Sequence, residues 1–523
     1  MRYVSRRVIF NVLRDIVLLS FGLFFSQQVS AELAQNLSIG NPKALALGNA
    51  VTADPPGIDS IHFNPAGLTR LKGRLQETKL LIADVSIIGE FRSNEEFDAF
   101  QEQTGIYDPV ANTESELSSA AAYLPFYGFT ELPVAGGVLG GASVSSKDSN
   151  MTFATAVYMP FAMGMVREDD DPGRHAGRKM AATRLTYFSP SMGLKVTENF
   201  SVGVSVGFSY VGIALDLDFR LANTAITSLA SGLNDICATN GDTFGEVCGE
   251  KFNTYSTLIR MEGEFEKPLS LTMNVGFLWD VTPWLTWGLV WQSSASDELE
   301  GDLRLTFSDE VWSVVQALGE FGVEMDSRTL EYKASQEMLL AQHISTGISV
   351  RLLPDIKVNF DVKWTETSII ETNTVTMEED DEMLALLGTF IEGISANEIV
   401  FPAGYEDTWN WGLGVEYDYS DTLALRFGYE PRRSGIPEDK RDFMTPFGDM
   451  TLYSVGFSYK TDATSVFDVA LGYGKSVQDI PTGSSTNGND NRQDNIIYNP
   501  YAGLDVRTEL TMVMLEMSYR SEF

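Results

Sequence analysis

Residues 510–523 read LTMVMLEMSYRSEF, and this stretch decides the fold. Val513, Leu515, Met517, Tyr519 and Phe523 fall on one parity, and Glu516, Ser518, Arg520 and Glu522 on the other. In an extended chain successive side chains point to opposite faces. One face of this strand is therefore apolar and ends in an aromatic residue, and the other is polar. Such a strand fits a wall between lipid and a polar interior. Of the 523 residues 44% are hydrophobic, yet no stretch beyond the N-terminus is apolar enough for a membrane helix, which needs about 20 residues. A chain that crosses a membrane without such a helix closes into a barrel, because open backbone groups cannot be left in hydrocarbon. Strands of this kind alone would also fit a large soluble all-β protein.

The N-terminus favours the barrel. Arg2, Arg6, Arg7 and Arg14 precede or flank a short apolar core, Ile16 to Phe25, and Val29-Ser30-Ala31 follows. This is the pattern of an export signal, with cleavage expected after Ala31. Residues 1–31 are thus read as a signal peptide. Their loss removes four of 37 basic residues and one of 72 acidic ones, leaving a net charge of −38. So acidic a chain argues against nucleic acid and anionic lipid as partners. It fits an outer face bridged by divalent cations to lipopolysaccharide, or simply a solvated one. Cys237 and Cys248, with ten residues between them, are expected to form a disulfide across a surface loop of an exported chain. The three histidines, His62, His175 and His343, are scattered, so neither a metal site nor a cofactor is expected.

The apolar alternation recurs in hairpins. Trp409, Trp411, Leu413, Val415, Tyr417 and Tyr419 share a parity, turn at Ser420-Asp421, and resume as Leu423, Leu425, Phe427 and Tyr429. The same unit turns at Glu198-Asn199, Thr282-Pro283, Pro354-Asp355 and Thr461-Asp462. After Tyr210 the apolar parity flips to Val211, Ile213, Leu215, Leu217 and Phe219, which suggests a β-bulge. Five hairpins, the C-terminal strand, and strands near 78–91, 121–134 and 151–162 make fourteen, an even number as bacterial barrels require. Six connections are short and seven long: 92–119, 163–180, 222–261, 305–338, 372–405, 431–448 and 475–503. Trp279, Tyr419 and Tyr459 lie by the turns, and Trp291, Tyr429 and Tyr473 toward the loops. Two aromatic belts suit two membrane interfaces.

Residues 32–76 do not alternate. They hold Gly40, Gly48, Gly57 and Gly67 and run from Leu47-Gly48-Asn49-Ala50 to Asn64-Pro65-Ala66-Gly67-Leu68. This segment resembles the N-terminal hatch of the FadL family of outer-membrane transporters for long-chain fatty acids and other hydrophobic compounds. The resemblance extends to the C-terminal strand. It implies an all-β transmembrane barrel of fourteen strands (77–523) plugged by a hatch (32–76), with Asn64, Pro65 and Ala66 as hatch residues. The aromatic carboxy-terminus resembles the insertion signal of outer-membrane barrels, which implies the barrel-assembly machinery as a partner. Both termini are expected on the periplasmic side.

Three long loops carry helical spacing: Ile226, Leu229, Ala230 and Leu233; Val311, Val314, Val315 and Leu318 with Trp312 and Phe321; and Met383, Leu386, Leu387, Phe390 and Ile394. Apolar faces on an acidic outer surface need cover. They pack on one another as a lid, or they also line a greasy groove. In the family the third and fourth loops form such a groove, which implies ligand contact for the first two sets. Arg220, after Asp216 and Asp218, resembles a carboxylate-contacting arginine of the family, whereas its own residues suggest an Arg–Asp pair within the lumen. Loop 372–405 holds no Lys or Arg, a departure that favours uncharged substrates. No nucleophile signature points to an enzyme. The expected function is passive uptake of hydrophobic molecules, with long-chain fatty acids first. Uncharged hydrocarbons or aromatic compounds are the alternative, and a general porin the second.

Overall fold

The computed structural model describes residues 37–132, 134–146, 148–244, 253–313, 327–380, 395–462, 464–491 and 499–523. The expected signal peptide, 1–31, lies outside them. The strands are β1 (Gly73–Arg92), β2 (Ala135–Ser145), β3 (Met151–Val166), β4 (Lys179–Phe188 and Ser191–Thr197), β5 (Phe200–Phe219), β6 (Ile259–Thr282) and β7 (Leu285–Gln292 and Ala295–Phe307). They continue as β8 (Thr329–Leu340 and His343–Leu353), β9 (Ile356–Thr365 and Thr372–Met377), β10 (Glu398–Pro402 and Thr408–Asp418), β11 (Leu423–Arg432), β12 (Met450–Lys460), β13 (Val466–Ile480) and β14 (Asp505–Glu522). Each pairs antiparallel with its neighbour in sequence. β14 returns to β1, from Leu75↔Glu522 to Arg92↔Asp505, and so closes a fourteen-stranded barrel. Closure removes the sheet edges that lipid could not hydrate.

The alternation does what a barrel wall requires. On β6, Leu271, Met273, Trp279 and Val281 are exposed, while Ser270, Asn274 and Leu278 are buried. The five hairpins and the last strand appear where their periodicity places them. The first strand starts at Gly73, earlier than expected.

The second strand is a correction. The alternating stretch expected to cross the membrane, 121–134, is instead a small hairpin, Ser119–Leu124 with Gly128–Leu132, turning at Phe126, whose φ is 68°. The wall strand is the following AGGVLGGASVS, whose glycines hide its period. Close approach explains the glycines. A Cβ on Gly136 or Gly140 would lie 2.5 Å from the carbonyl oxygen of Leu81 or 2.6 Å from that of Glu77 on β1.

The bulge expected in β5 is also corrected. Odd-numbered residues face inward along the whole strand. Ser205 donates to the Ile61 carbonyl within the lumen, and Val211 to Phe219 join the interior core above. The chemistry of the inner face changes, not the parity. The register slips lie in β6 between Lys267 and Ser270, in β4 between Thr186 and Phe188, and in β3 between Tyr158 and Phe161.

Two bodies fill the interior. At the short-turn end residues 37–71 form α1 (Pro42–Ala46), α2 (Ser60–Phe63) and a 3-10 turn, Pro65–Arg70. At the long-loop end α3 (Glu95–Thr104), α4 (Arg174–Gly177) and α5 (Thr224–Phe244) join the upper strands in one apolar core with Phe91, Phe97, Tyr255, Phe307 and Tyr501. α3 carried no sequence expectation.

Candidate functional site

The wall has a window. β2 pairs with β1 only up to Ala83↔Ala135, and with β3 only from Gly140↔Val157 to Val144↔Phe153. Above it the hairpin meets β3 at just Ser119↔Val166 and Ala120↔Met165, and β1 meets Thr113–Glu116 from Ile88. Among the described residues no strand bridges 84–87 of β1 to 158–164 of β3. The physical cause is the departure of the chain before Ala135 from the wall plane.

An apolar cavity of about 220 Å³ occupies this window. Leu81, Ala83, Val85 and Ile87 face it from β1. Met512 and Met514 face it from β14, Leu37 and Ser38 from the segment below, and Ala120, Ala122, Leu124 and Leu132 from the hairpin. Among the described residues its lining contains no charged side chain. Ser38 brings the one hydroxyl, and that hydroxyl already donates to the Met159 carbonyl at 3.0 Å. Such a surface attracts molecules through apolar burial and offers nothing to a charge.

The hairpin covers the outer side. Phe161 and Met165 of β3 point into the core, so Gly164 points out. A Cβ there would lie 2.1 Å from the Ala121 carbonyl oxygen, and one on Gly212 would lie 2.1 Å from the Tyr123 ring. Missing side chains therefore seat the hairpin on the wall. The Tyr123 backbone N–H donates to Thr183 Oγ1 at 3.1 Å, its ring stacks on Tyr210, and both phenols reach Glu266. Beyond this seat Phe126 is 98% and Tyr127 82% exposed.

Below, residues 37–71 are latched to the wall by buried ions. Lys79 on β1 donates to the Ile39 carbonyl at 2.9 Å and to both Asp59 oxygens at 2.8 Å. Asp54 meets Lys43 at 2.9 Å and Lys357 at 2.7 Å. Burial alone would raise the Asp54 carboxyl, but Lys357, Lys43 and Arg70 outweigh it and hold the group well below the usual carboxylate range. Lys357 continues to Glu416, which meets Arg426, and Lys363 meets Glu430, so these three inward-facing cations are paired. Asn64 Nδ2 donates to the Thr52 and Phe277 carbonyls at 2.8 and 3.0 Å, and its Oδ1 caps the turn that Pro65 begins. Pro65 and Ala66 are buried against Gly203 of β5.

Over residues 22–523 the chain matches the family described as outer membrane protein transport protein (OMPP1/FadL/TodX). The chain belongs to that family. As a FadL/TodX-family member it is an outer-membrane transport protein for hydrophobic substrates. An outer membrane protein of Neisseria meningitidis serogroup B is 22% identical over 471 residues, 88% of this chain and 89% of the relative. The long-chain fatty acid transport protein of Escherichia coli O6:H1 is 21% identical over 38% of this chain and 41% of its own length. Among solved structures, a Pseudomonas aeruginosa FadL homologue has a TM-score of 0.64 at 17% identity, covering 96% of this chain and 100% of that one. The Pseudomonas putida toluene transporter TodX has a TM-score of 0.57 at 13% identity, covering 92% and 97%. At such identities these structures share the fold with this FadL/TodX-family chain.

Of the sequence-derived ligand residues of this family member, Ile226, Leu229, Val311 and Arg220 do not line the cavity. Ile226 on α5 and Val311 are 3% and 2% exposed and share the core of the long-loop end, as a lid would, whereas Leu229 is 38% exposed. Leu233 lies on α5. Val314, Val315, Leu318 and Phe321, like the fifth-loop set from Met383 to Ile394, lie outside the described residues. Arg220 is fully buried, 2.5 Å from Asp108 of the first long loop, donates to the Pro500 carbonyl and lies over the Tyr501 ring. The expected Arg–Asp pair forms with a different aspartate, because Arg220 lies past the end of β5 at Phe219 while Asp216 and Asp218 on the strand meet Arg178 and Arg174. Cys237 on α5 is no free thiol. Cys248 lies outside the described residues, so their pairing stands as a proposal.

Two features escaped the sequence reading. One is the external hairpin, taken for a wall strand. The other is the cavity, although LTMVML had both parities apolar and thereby marked a greasy stretch of lumen at Met512 and Met514.

Proposed function

We propose that this protein passively carries uncharged hydrophobic molecules across the outer membrane, and that they pass through the window cavity. The observation that carries this reading is the cavity itself: it links the lumen face of β1 with the underside of the external hairpin, and among the described residues no charged side chain lines it. The long-loop end faces the exterior and the short turns the periplasm. A molecule that has crossed the hydrated surface enters the cavity and leaves sideways into the hydrocarbon beneath the hairpin. The latched segment 37–71 acts as a hatch that blocks the aqueous route. A ligand touching Leu37 and Ser38 biases the hatch only by its differential affinity for the two states.

Names of relatives point both to fatty acids and to toluene. The uncharged class is favoured here because Arg220, the cation sought for a carboxylate, is outside the cavity lining and already bound to Asp108. Binding of toluene, dodecane and dodecanoate to the purified protein tests this. An unpaired carboxylate in such a cavity should bind at least about tenfold more weakly than the hydrocarbon. Tighter binding of dodecanoate, abolished by Arg220→Ala, would overturn the uncharged assignment.

A further inference from the structure

Six of the 24 residues lining the cavity are methionines: Met159, Met163, Met165, Met450, Met512 and Met514. The whole chain holds only 18, so a third of them converge on one site from three strands, β3, β12 and β14. Their tips abut glycines. A Cβ on Gly474 would lie 3.3 Å from the Met450 sulfur and 3.4 Å from the Met512 methyl, and a Cβ on Gly472 3.0 Å from the Met514 methyl. Unbranched thioethers beside side-chain-free backbone can rotate to fit different guests. They also carry the one readily oxidised group in the lining.

We propose that this methionine ring makes the cavity an oxidation-sensitive gate, one that peroxide closes to hydrophobic ligands. The inference rests on the assignment of the cavity as the ligand site. In the chemical step the thioether sulfur donates an electron pair to one oxygen of hydrogen peroxide. The O–O bond breaks, an S=O bond forms, and the second oxygen leaves as water with both protons. Sulfur is oxidised and peroxide reduced. Met159, Met163 and Met512 are only half-buried and meet the oxidant first. Each sulfoxide is a strong dipole and acceptor. The lining offers it no free side-chain donor, because the Ser38 hydroxyl is committed to Met159 O. An apolar guest would then bury that dipole unpaired, so the oxidised site favours water over the guest.

The test uses the full-length protein in detergent with the uncharged probe N-phenyl-1-naphthylamine, read by fluorescence before and after peroxide treatment, with mass spectrometry locating each sulfoxide. Untreated protein should bind, and oxidation should weaken binding by roughly tenfold or more. A Met159→Leu/Met163→Leu/Met512→Leu variant, checked for folding by heat-modifiable gel mobility, sets its own untreated affinity, and that affinity should survive the same treatment. Sulfoxide at these three positions with unchanged affinity overturns the gate alone. So does equal loss of affinity in the leucine variant. Absence of binding by the untreated protein overturns the ligand-site assignment and the gate with it.

Discussion

Gly212 on the outer face of β5 stands so close to the hairpin residue Tyr123 that a Cβ at position 212 would lie 2.1 Å from the ring Cδ1. The contact sets the height of the hairpin over the window. Gly212→Ala should therefore lift the hairpin without removing any of its bonding groups, at a cost of about 1–3 kcal/mol from overpacking. Backbone amides of residues 119–132 should exchange faster with deuterium, and a hydrophobic probe should escape faster into liposome lipid. Unchanged exchange in the hairpin would show that it is not seated by this glycine.

Lys79 on β1 is the counterion of Asp59 in segment 37–71, the proposed hatch, and both side chains are almost wholly buried. Lys79→Met would leave Asp59 without its cation. Removing one partner of a buried pair costs about 3–5 kcal/mol. The expected result is a hatch that detaches more often, seen as a higher small-ion conductance in planar bilayers with the barrel still resistant to denaturation at room temperature. Conductance equal to that of the parent would mean that other contacts hold the hatch unaided.

The Asp54 cluster gives a pH dependence. Its cations depress the folded-state carboxyl below the ordinary value of about 4. A depressed carboxyl stabilises the folded state fully above its unfolded pKa, and that contribution fades as pH falls toward the lower folded value. Hatch retention should thus be flat from neutrality to about pH 4 and decline only in stronger acid. Asp54→Asn should raise basal conductance and flatten the acid limb. A parent whose conductance rises near pH 6 would place control in other groups.

How much of this was legible depends on which face of a strand carries the signal. Fourteen strands and a closed barrel follow from lipid-facing alternation such as Trp409 to Tyr419, because hydrocarbon imposes a strict requirement on every second residue. β2 was not legible, since its selection acts through absent side chains at Gly136 and Gly140, where backbone approaches backbone. The hairpin alternates for a different reason: Ala121 and Tyr123 face the wall while Ala120 and Ala122 face the cavity. Its period is that of a strand, but its solvent is protein. The turn at Asn64-Pro65-Ala66 was legible, because a cap and a proline start define it locally. The partners of Arg220 and Lys79 were not, since they lie in distant parts of the sequence and only closure brings them together.

Cys237 and Cys248 are proposed to be bonded in the third long loop. Non-reducing peptide mapping of protein from intact outer membranes should recover them as one linked peptide pair. Recovery of both as alkylated thiols would remove the bond, and with it the constraint on residues 238–247.

Arg220 offers the sharpest separation of structure from substrate recognition. It ties β5 to the first long loop through Asp108 and to the last through the Pro500 carbonyl, with the Tyr501 ring beneath its guanidinium. Arg220→Ala leaves the Asp108 carboxylate buried and uncompensated, at a cost of about 3–5 kcal/mol. That loss falls on the lid rather than on the cavity, because Arg220 does not line it. The variant should show loops 93–112 and 499–504 cut faster by protease, while toluene and dodecane bind with unchanged affinity. Lysine at this position should recover only part of the protection, since an ammonium cannot reproduce the forked contact to a carboxylate and a carbonyl over an aromatic ring. If protease resistance is unaltered and only dodecanoate binding falls, Arg220 reads a head group, and the substrate of this barrel is an acid after all.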